Sequence, residues 1–251
     1  MTDTPAKPAS SLFSKANIAL AVATGALVLA AAPYVVPPVQ SLIVRGGVLS
    51  GPQVLEDGYE ALQVHKDAEA AKAFATAYKA NESALISAED PILGNPKAPI
   101  TIVEFQDYLC GYCRRIAPEL TAFLKANPDV RIVVKEYPVI TPNSRLLAAL
   151  ALATRDSGKY EAIHNAIYAA ELKTNDDVNA LLLSAGLDPA AITAKAQSPE
   201  VQKHIEDTLT MGTRLGLTGT PAFIIDGVLV GGADMAQIET LVATQRSKAG
   251  A

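Results

Sequence analysis

Cys110 and Cys113 are the only cysteines in the 251-residue chain, and Gly111 and Tyr112 separate them. That spacing, followed by a turn of helix, brings two sulfurs within disulfide reach. A helix that begins at Cys110 offers free N–H groups and the positive end of its dipole, both of which favour a thiolate there. A thiol with a lowered pKa is a better-populated nucleophile and a better leaving group in exchange. Cys113, one turn on and deeper, would resolve the mixed disulfide. Two other chemistries compete. A zinc site needs further ligands, and His65, His164 and His204 form no short-spaced pair, so no metal is expected. A purely structural bridge across so short a loop gains little by constraining the unfolded chain. Gly219-Thr220-Pro221 supplies a second element. A cis Thr220–Pro221 bond would remove a ladder donor and turn the preceding backbone toward the cysteines, where it could pair with an extended substrate; the alternative is an ordinary trans turn proline.

The elements around these residues are legible in the local pattern. Ile100 to Phe105 is a β-branched run bounded by proline and aspartate, which predicts a buried strand. A helix is expected from Cys110 to about Ala126, ended by Asn127-Pro128, and a second strand from Val130 to Tyr137, closed by Pro138. Strand, helix and strand in so short a span read as a βαβ crossover. Asn143 to Leu217 is patterned as helix, with breaks near Gly158, Thr174, Gly186 to Pro189, and Ser198-Pro199, where Ser198 would cap a helix opened by Pro199. Ala222–Ile225 and Val228–Val230 flank Asp226-Gly227, a strong hairpin signal. A last helix is expected from about Asp234 to Arg246. The order β-α-β, helical block, β-β-α is that of an α/β thioredoxin-like fold with a helical insertion.

Composition narrows the class further. With 49% hydrophobic and 19% charged residues the chain suits a globular protein with a sizeable core, of one or two domains, rather than a disordered tail. A net charge of −5 excludes a protein held by nucleic-acid phosphates. Two cysteines exclude a disulfide-rich scaffold. Residues 1–44 read as a cytoplasmic tail and a signal anchor or signal peptide: no charge occurs from Ala16 to Val44, while Lys7 and Lys15 precede the stretch. A cleavage site at Ala30-Ala31-Ala32 is disfavoured by Pro33, and apolar residues continue beyond it, which favours the anchor over a cleaved peptide. Both versions export the remainder. Residues 45–90 are rich in good helix formers, with Leu55, Tyr59 and Leu62 at helical spacing and Phe74 and Tyr78 repeating it. The apolar stripe is thin, so this segment docks on the main domain, self-associates, or only sets distance from the membrane. Residues 91–251 form the main domain, with its insertion at about 143–217.

VEFQDYLCGYCRRIAPEL, VVKEYPVI and GTPAFIIDG resemble the DsbA-like thiol-disulfide oxidoreductases of the thioredoxin superfamily, over about residues 90 to 246. VRGGVLSGPQVLEDGYEALQ is similar to the N-terminal helical region of the ScsC and Com1-like branch. The resemblance implies an exported enzyme without cofactor, on the periplasmic side of the inner membrane or free in the periplasm, acting on unfolded or misoxidised exported clients and coupled to a membrane redox partner. Some members of that branch oligomerise through this region and act as disulfide isomerases. The Cys-Gly-Tyr-Cys dipeptide is shared with dedicated isomerases, whereas strongly oxidising relatives typically carry Cys-Pro-His-Cys. A DsbA-type dithiol oxidase and a membrane-anchored holdase are the alternatives. The resemblance also implies that Glu104 is a buried carboxylate aiding proton transfer to Cys113, with Lys135 as its charge partner; a strand-end residue facing solvent is the plainer reading of Glu104. Thr220 matches the position that tunes the thiol and contacts substrate, and Tyr112 the variable dipeptide position. Arg114 and Arg115 either add positive potential near Cys110 or are solvated helix residues. His164 and His204 read as ordinary surface or core residues, and Phe105, Tyr108, Phe123, Phe223 and Ile224 as core or as the rim of the cysteine groove.

Overall fold

A computed structural model describes residues 51–172 and 174–249, together with Ser41 and Gly46. The anchor expected over residues 1–44 lies outside the described residues, Ser41 excepted; among the described residues no helix is long and apolar enough to cross a membrane. The chain divides into two compact units, 1–68 and 69–251, with the boundary inside the first described helix, α1 (Pro52–Leu85). In the first unit Leu55, Tyr59 and Leu62 are exposed. In the second, Phe74 and Leu85 are buried against the sheet.

The second unit is built on β1 (Ile92–Gly94), β2 (Ile100–Gln106), α2 (Gly111–Ala126), β3 (Val130–Glu136), α3 (Pro142–Ala153), α4 (Tyr160–Ala169), α5 (Asn175–Ser184), α6 (Pro189–Ala196), α7 (Pro199–Arg214), β4 (Ala222–Ile225), β5 (Val228–Gly231) and α8 (Met235–Ala249). The sheet order is β1-β3-β2-β4-β5. Only the β2–β3 pair is parallel, as the α2 crossover requires. Helices α3 to α7 form the insertion between β3 and β4, and their starts follow the breaks in the sequence: Thr174, Asp188 and Ser198 cap α5, α6 and α7 with side-chain hydrogen bonds. The β4–β5 turn has Asp226 at φ 51° and Gly227 at φ 76°, the left-handed pair that a two-residue hairpin needs.

β2 and β3 are buried on both faces, which is why they read as near-continuous apolar runs. Alternation along each strand divides the core in two. Ile102, Ile132, Val134, Phe223 and Ile225 face α2, α8 and most of the insertion. Val103, Phe105, Val133, Ala222 and Ile224 face the other way, onto Phe74 and Leu85 of α1, Tyr137, and Met211 and Leu215 at the end of α7. The second layer is tight: a Cβ on Gly212 would lie 2.4 Å from the Tyr137 ring, so glycine lets α7 approach the sheet.

Candidate active site

The site lies where β2 ends. A turn carries the chain into α2, with the Cys110 N–H bonded to the Asp107 carbonyl at 3.0 Å, and Cys110 is the residue that caps the helix. Asp107 builds this corner. Its Oδ1 accepts the Leu109 N–H at 2.8 Å, and its Oδ2 accepts the N–H groups of Val139 and Ile140 at 2.9 Å each, tying the loop after β3 to the turn before Cys110. The other side is closed by the segment entering β4. Thr220–Pro221 is cis, and the Cys110 thiol donates to the Thr220 carbonyl at 3.1 Å.

The two sulfurs have different surroundings, and both are thiols in the structure. Cys110 is 6% exposed and Cys113 1%. Burial pushes the Cys110 pKa up, but Thr220 and the backbone N–H groups of Cys113 and Tyr112 outweigh it and hold the thiol below its ordinary value. Cys110 stands at the helix N-terminus without a side-chain capping hydrogen bond, where the free N–H groups of a first turn favour a thiolate. Cys113 shifts the opposite way. Burial raises its pKa, the charge of Glu104 raises it further, and the Asp107 backbone offsets only part. The pair therefore consists of a sulfur poised to ionise and a buried one that keeps its proton, the division of labour that disulfide exchange needs.

Glu104 is 2% exposed, and its Oε2 has no hydrogen-bond partner among the described residues. Burial raises its pKa to about 8. Lys135 is not its charge partner. In the parallel register Glu104 is level with Val134 and Phe105 with Lys135, so the lysine projects from the opposite face of the sheet, where it pairs with Asp90. A cavity of about 590 Å³ lined by Asp90, Lys135 and His204, among others, opens on that side and touches neither cysteine.

Arg114 does not face solvent freely. Its guanidinium donates to the carbonyls of Tyr168, Ala170 (2.9 Å) and Ile167 (3.5 Å), capping the C-terminus of α4. Arg115 lies over the Tyr112 ring, 4.7 Å from its centroid, and Tyr112 is 58% exposed. Phe105, Tyr108, Phe123, Phe223 and Ile224 are core residues. The exposed apolar residues at this corner are Leu109, Tyr112, Val139 and Ile140. Sequence reasoning passed over Asp107 and Glu136. Glu136 is fully buried and accepts the Tyr108 O–H at 2.9 Å, the Tyr160 O–H at 2.5 Å and the Gln106 side-chain N–H at 2.6 Å. A count of two from Val134 along β3 was the signal for it.

Known proteins support this chemistry. A thioredoxin-like oxidoreductase from Silicibacter pomeroyi DSS-3 superposes with a TM-score of 0.61 at 36% identity, over 65% of this chain and 95% of its own. ScsC of Proteus mirabilis in a transitional conformation gives a TM-score of 0.60 at 27% identity, over 83% and 95%. A periplasmic thioredoxin-like protein from Salmonella enterica serovar Typhimurium gives 0.58 at 27% identity, over 65% and 94%. Among curated proteins, the Na(+)/H(+) antiporter NhaA 1 of Salinispora arenicola (strain CNS-205) is 27% identical over 143 residues covering 55% of this chain, and this chain spans only 22% of the length of that relative. The family model of the DSBA-like thioredoxin domain matches residues 101–243, a span that holds both cysteines and Thr220-Pro221. The chain belongs to the DSBA-like thioredoxin domain family, as a thioredoxin-like oxidoreductase whose redox centre is the Cys110–Cys113 pair.

Proposed function

We propose that this chain is an exported, periplasmic thiol-disulfide oxidoreductase of the ScsC and Com1-like branch, working as a disulfide isomerase or reductase on misoxidised clients. The observation that carries the chemistry is the contrast between the two sulfurs: Cys110 held toward the thiolate at a helix start, Cys113 buried and protonated. Cys110 thiolate attacks a client disulfide; the Cys110–client S–S bond forms, the client S–S bond breaks, and a client thiolate leaves. A second client thiol then displaces Cys110, which completes isomerisation. Alternatively Cys113 gives its proton to Glu104 and attacks Cys110, leaving an oxidised pair and a client reduced by two electrons. A membrane reductase partner would restore the dithiol. Thr220, beside Cys110, offers backbone to an extended client, and exposed Leu109, Tyr112, Val139 and Ile140 offer apolar surface.

Export rests on the uncharged stretch from Ala16 to Val44, read as an anchor in the inner membrane or a cleaved signal. Self-association rests on the exposed Leu55, Tyr59 and Leu62, which share one face of α1. A solution mass that falls on Tyr59→Asp supports it, and a monomeric wild type removes it. The second reading is a DsbA-type dithiol oxidase, favoured by the same depression of the Cys110 pKa, because stabilising the thiolate stabilises the reduced pair and makes the disulfide more oxidising. Refolding of a scrambled-disulfide client separates the two. Rescue of the misbridged client supports the isomerase. Fast oxidation of a reduced client without rescue overturns it in favour of the oxidase. A holdase reading predicts that Cys110→Ala keeps full biological activity. Mixed disulfides with clients trapped in Cys113→Ala oppose it.

A further inference from the structure

Glu136 has no part in the exchange itself, although its buried carboxylate accepts three side-chain hydrogen bonds. β2 and β3 run in parallel with Glu104 beside Val134 and Gln106 beside Glu136, so alternation sets Glu104 and Glu136 on the same face of the sheet, under the cysteine corner. Glu136 Oε1 accepts the hydroxyls of Tyr108 and Tyr160, and Oε2 accepts the amide of Gln106. The Tyr168 hydroxyl in turn donates to Gln106 Oε1. His164 Nδ1 lies 3.0 Å from the Tyr108 oxygen. Because the one proton of Tyr108 points to Glu136, Nδ1 is assigned the hydrogen and donates to Tyr108. Burial drops the His164 pKa to about 3, so the ring stays neutral. The groups facing Glu136 are thus Glu104 from β2, Asp107 and Tyr108 from the turn, and Tyr160 and, at one remove, His164 and Tyr168 from α4. No lysine or arginine pairs with either carboxylate among the described residues.

Two carboxylates on one buried face without a cation cannot both ionise freely. Neutral donors favour the charged form of the acid that holds them. Glu136 has three, while Glu104 Oε2 has none. We propose that Glu136 is a positioning residue for disulfide resolution: its carboxylate, held by Tyr108, Tyr160 and Gln106 on the face it shares with Glu104, sets when Glu104 is free to take the proton of Cys113. The inference rests on the reading of Glu104 as that acceptor. In the step itself the Cys113 S–H gives its proton to the Glu104 carboxylate, and its sulfur bonds to Cys110. The Cys110–client S–S bond breaks, and the client sulfur leaves as a thiolate with the electron pair. Glu104 then returns the proton to water. Burial raises the Glu136 pKa to about 8 against the pull of Tyr160 and Tyr108, and the charges of Asp107 and Glu104 add to the rise.

The test loads Cys110 of the full chain with glutathione as a mixed disulfide and follows glutathione release between about pH 5 and 9.5. The wild type is expected to show an inflection near the Glu104 value of about 8. Glu136→Gln should move it to lower pH by about one unit, the scale of coupling between such groups. Glu104→Gln should abolish it, and the double variant should behave as Glu104→Gln. Tyr160→Phe removes one donor from Glu136, leaves both carboxyls, and should move the inflection the same way by less; it serves if Glu136→Gln fails to fold. An inflection unmoved by Glu136→Gln and Tyr160→Phe but lost in Glu104→Gln overturns the role of Glu136 and leaves that of Glu104 standing. An inflection that persists in Glu104→Gln overturns the Glu104 reading and the proposal with it.

Discussion

On one face of β2 and β3, Glu104 and Glu136 are buried without a cation, and burial raises the pKa of each to about 8. On the other, Lys135 is ion-paired with Asp90, whose Oδ2 also accepts the Ser87 N–H at 2.7 Å, while His204 Nε2 lies 3.3 Å from Oδ1. Burial pushes the Asp90 pKa up, but His204, Lys135 and Ser87 outweigh it and hold it below the ordinary value. The same strands therefore bury charge in two ways. A paired charge is settled in one protonation state and serves to pin the segment after α1 to the sheet. An unpaired carboxyl keeps a proton it can exchange near neutral pH, and it lies on the side of the cysteines.

Asp90→Ala tests the paired face most severely. Removing one partner leaves Lys135 buried without its counter-charge, an expected loss of about 3–5 kcal/mol in urea unfolding. Glutathione release from the folded fraction should be unchanged. A loss well under 1 kcal/mol would break the distinction, because the ion pair would then be no more than a surface contact.

Glu104→Gln should act in the opposite sense. Between the ordinary value of 4.5 and the folded value of about 8, the native state holds a proton that the unfolded chain has released. Stability therefore falls as pH rises through that window. Asp90 has the reverse sign: its depressed pKa adds stability above the ordinary value of 3.8, which is lost as pH falls through the folded value. Glu104→Gln should be close to wild type in stability at pH 5 and more stable by about 2–4 kcal/mol at pH 9. Equal stabilities at both pH values would show that Glu104 is solvated, and would erase the contrast.

The smallest expected effect comes from packing. Gly212→Ala places a methyl 2.4 Å from the Tyr137 ring on the paired face, and should cost about 1–3 kcal/mol in thermal unfolding. Because that layer lies away from the cysteines, the pH profile of glutathione release should keep its inflection. A moved inflection would mean that the two faces are coupled.

Much of the architecture was legible because it is local. The β-branched runs of β2 and β3, the Asn127-Pro128 stop after α2 and the Asp226-Gly227 turn each declare themselves within a few residues, and the breaks in the insertion fall at caps the helices use. The pairing of Glu104 with Lys135 was read wrongly because it depends on the alignment of two strands, and a shift of one residue sends a side chain to the other face. Glu136 was hidden for the same reason, at the end of a run that could have pointed either way. Arg114 looked electrostatic because the carbonyls it caps, at Ile167, Tyr168 and Ala170, are distant in sequence.

Residue order alone dictates the chemistry, two thiols at a strand-to-helix junction and a Thr-Pro element to stand beside them, because residue type and short spacing decide what a helix start can do to a sulfur. The packing of the layers sets which acid lies on the side of the thiols and which is ion-paired on the other face. That choice follows from the face each side chain meets and from whether a cation or a neutral hydroxyl waits there. Burial and pairing are properties of the assembled layers, and no stretch of the chain carries them alone.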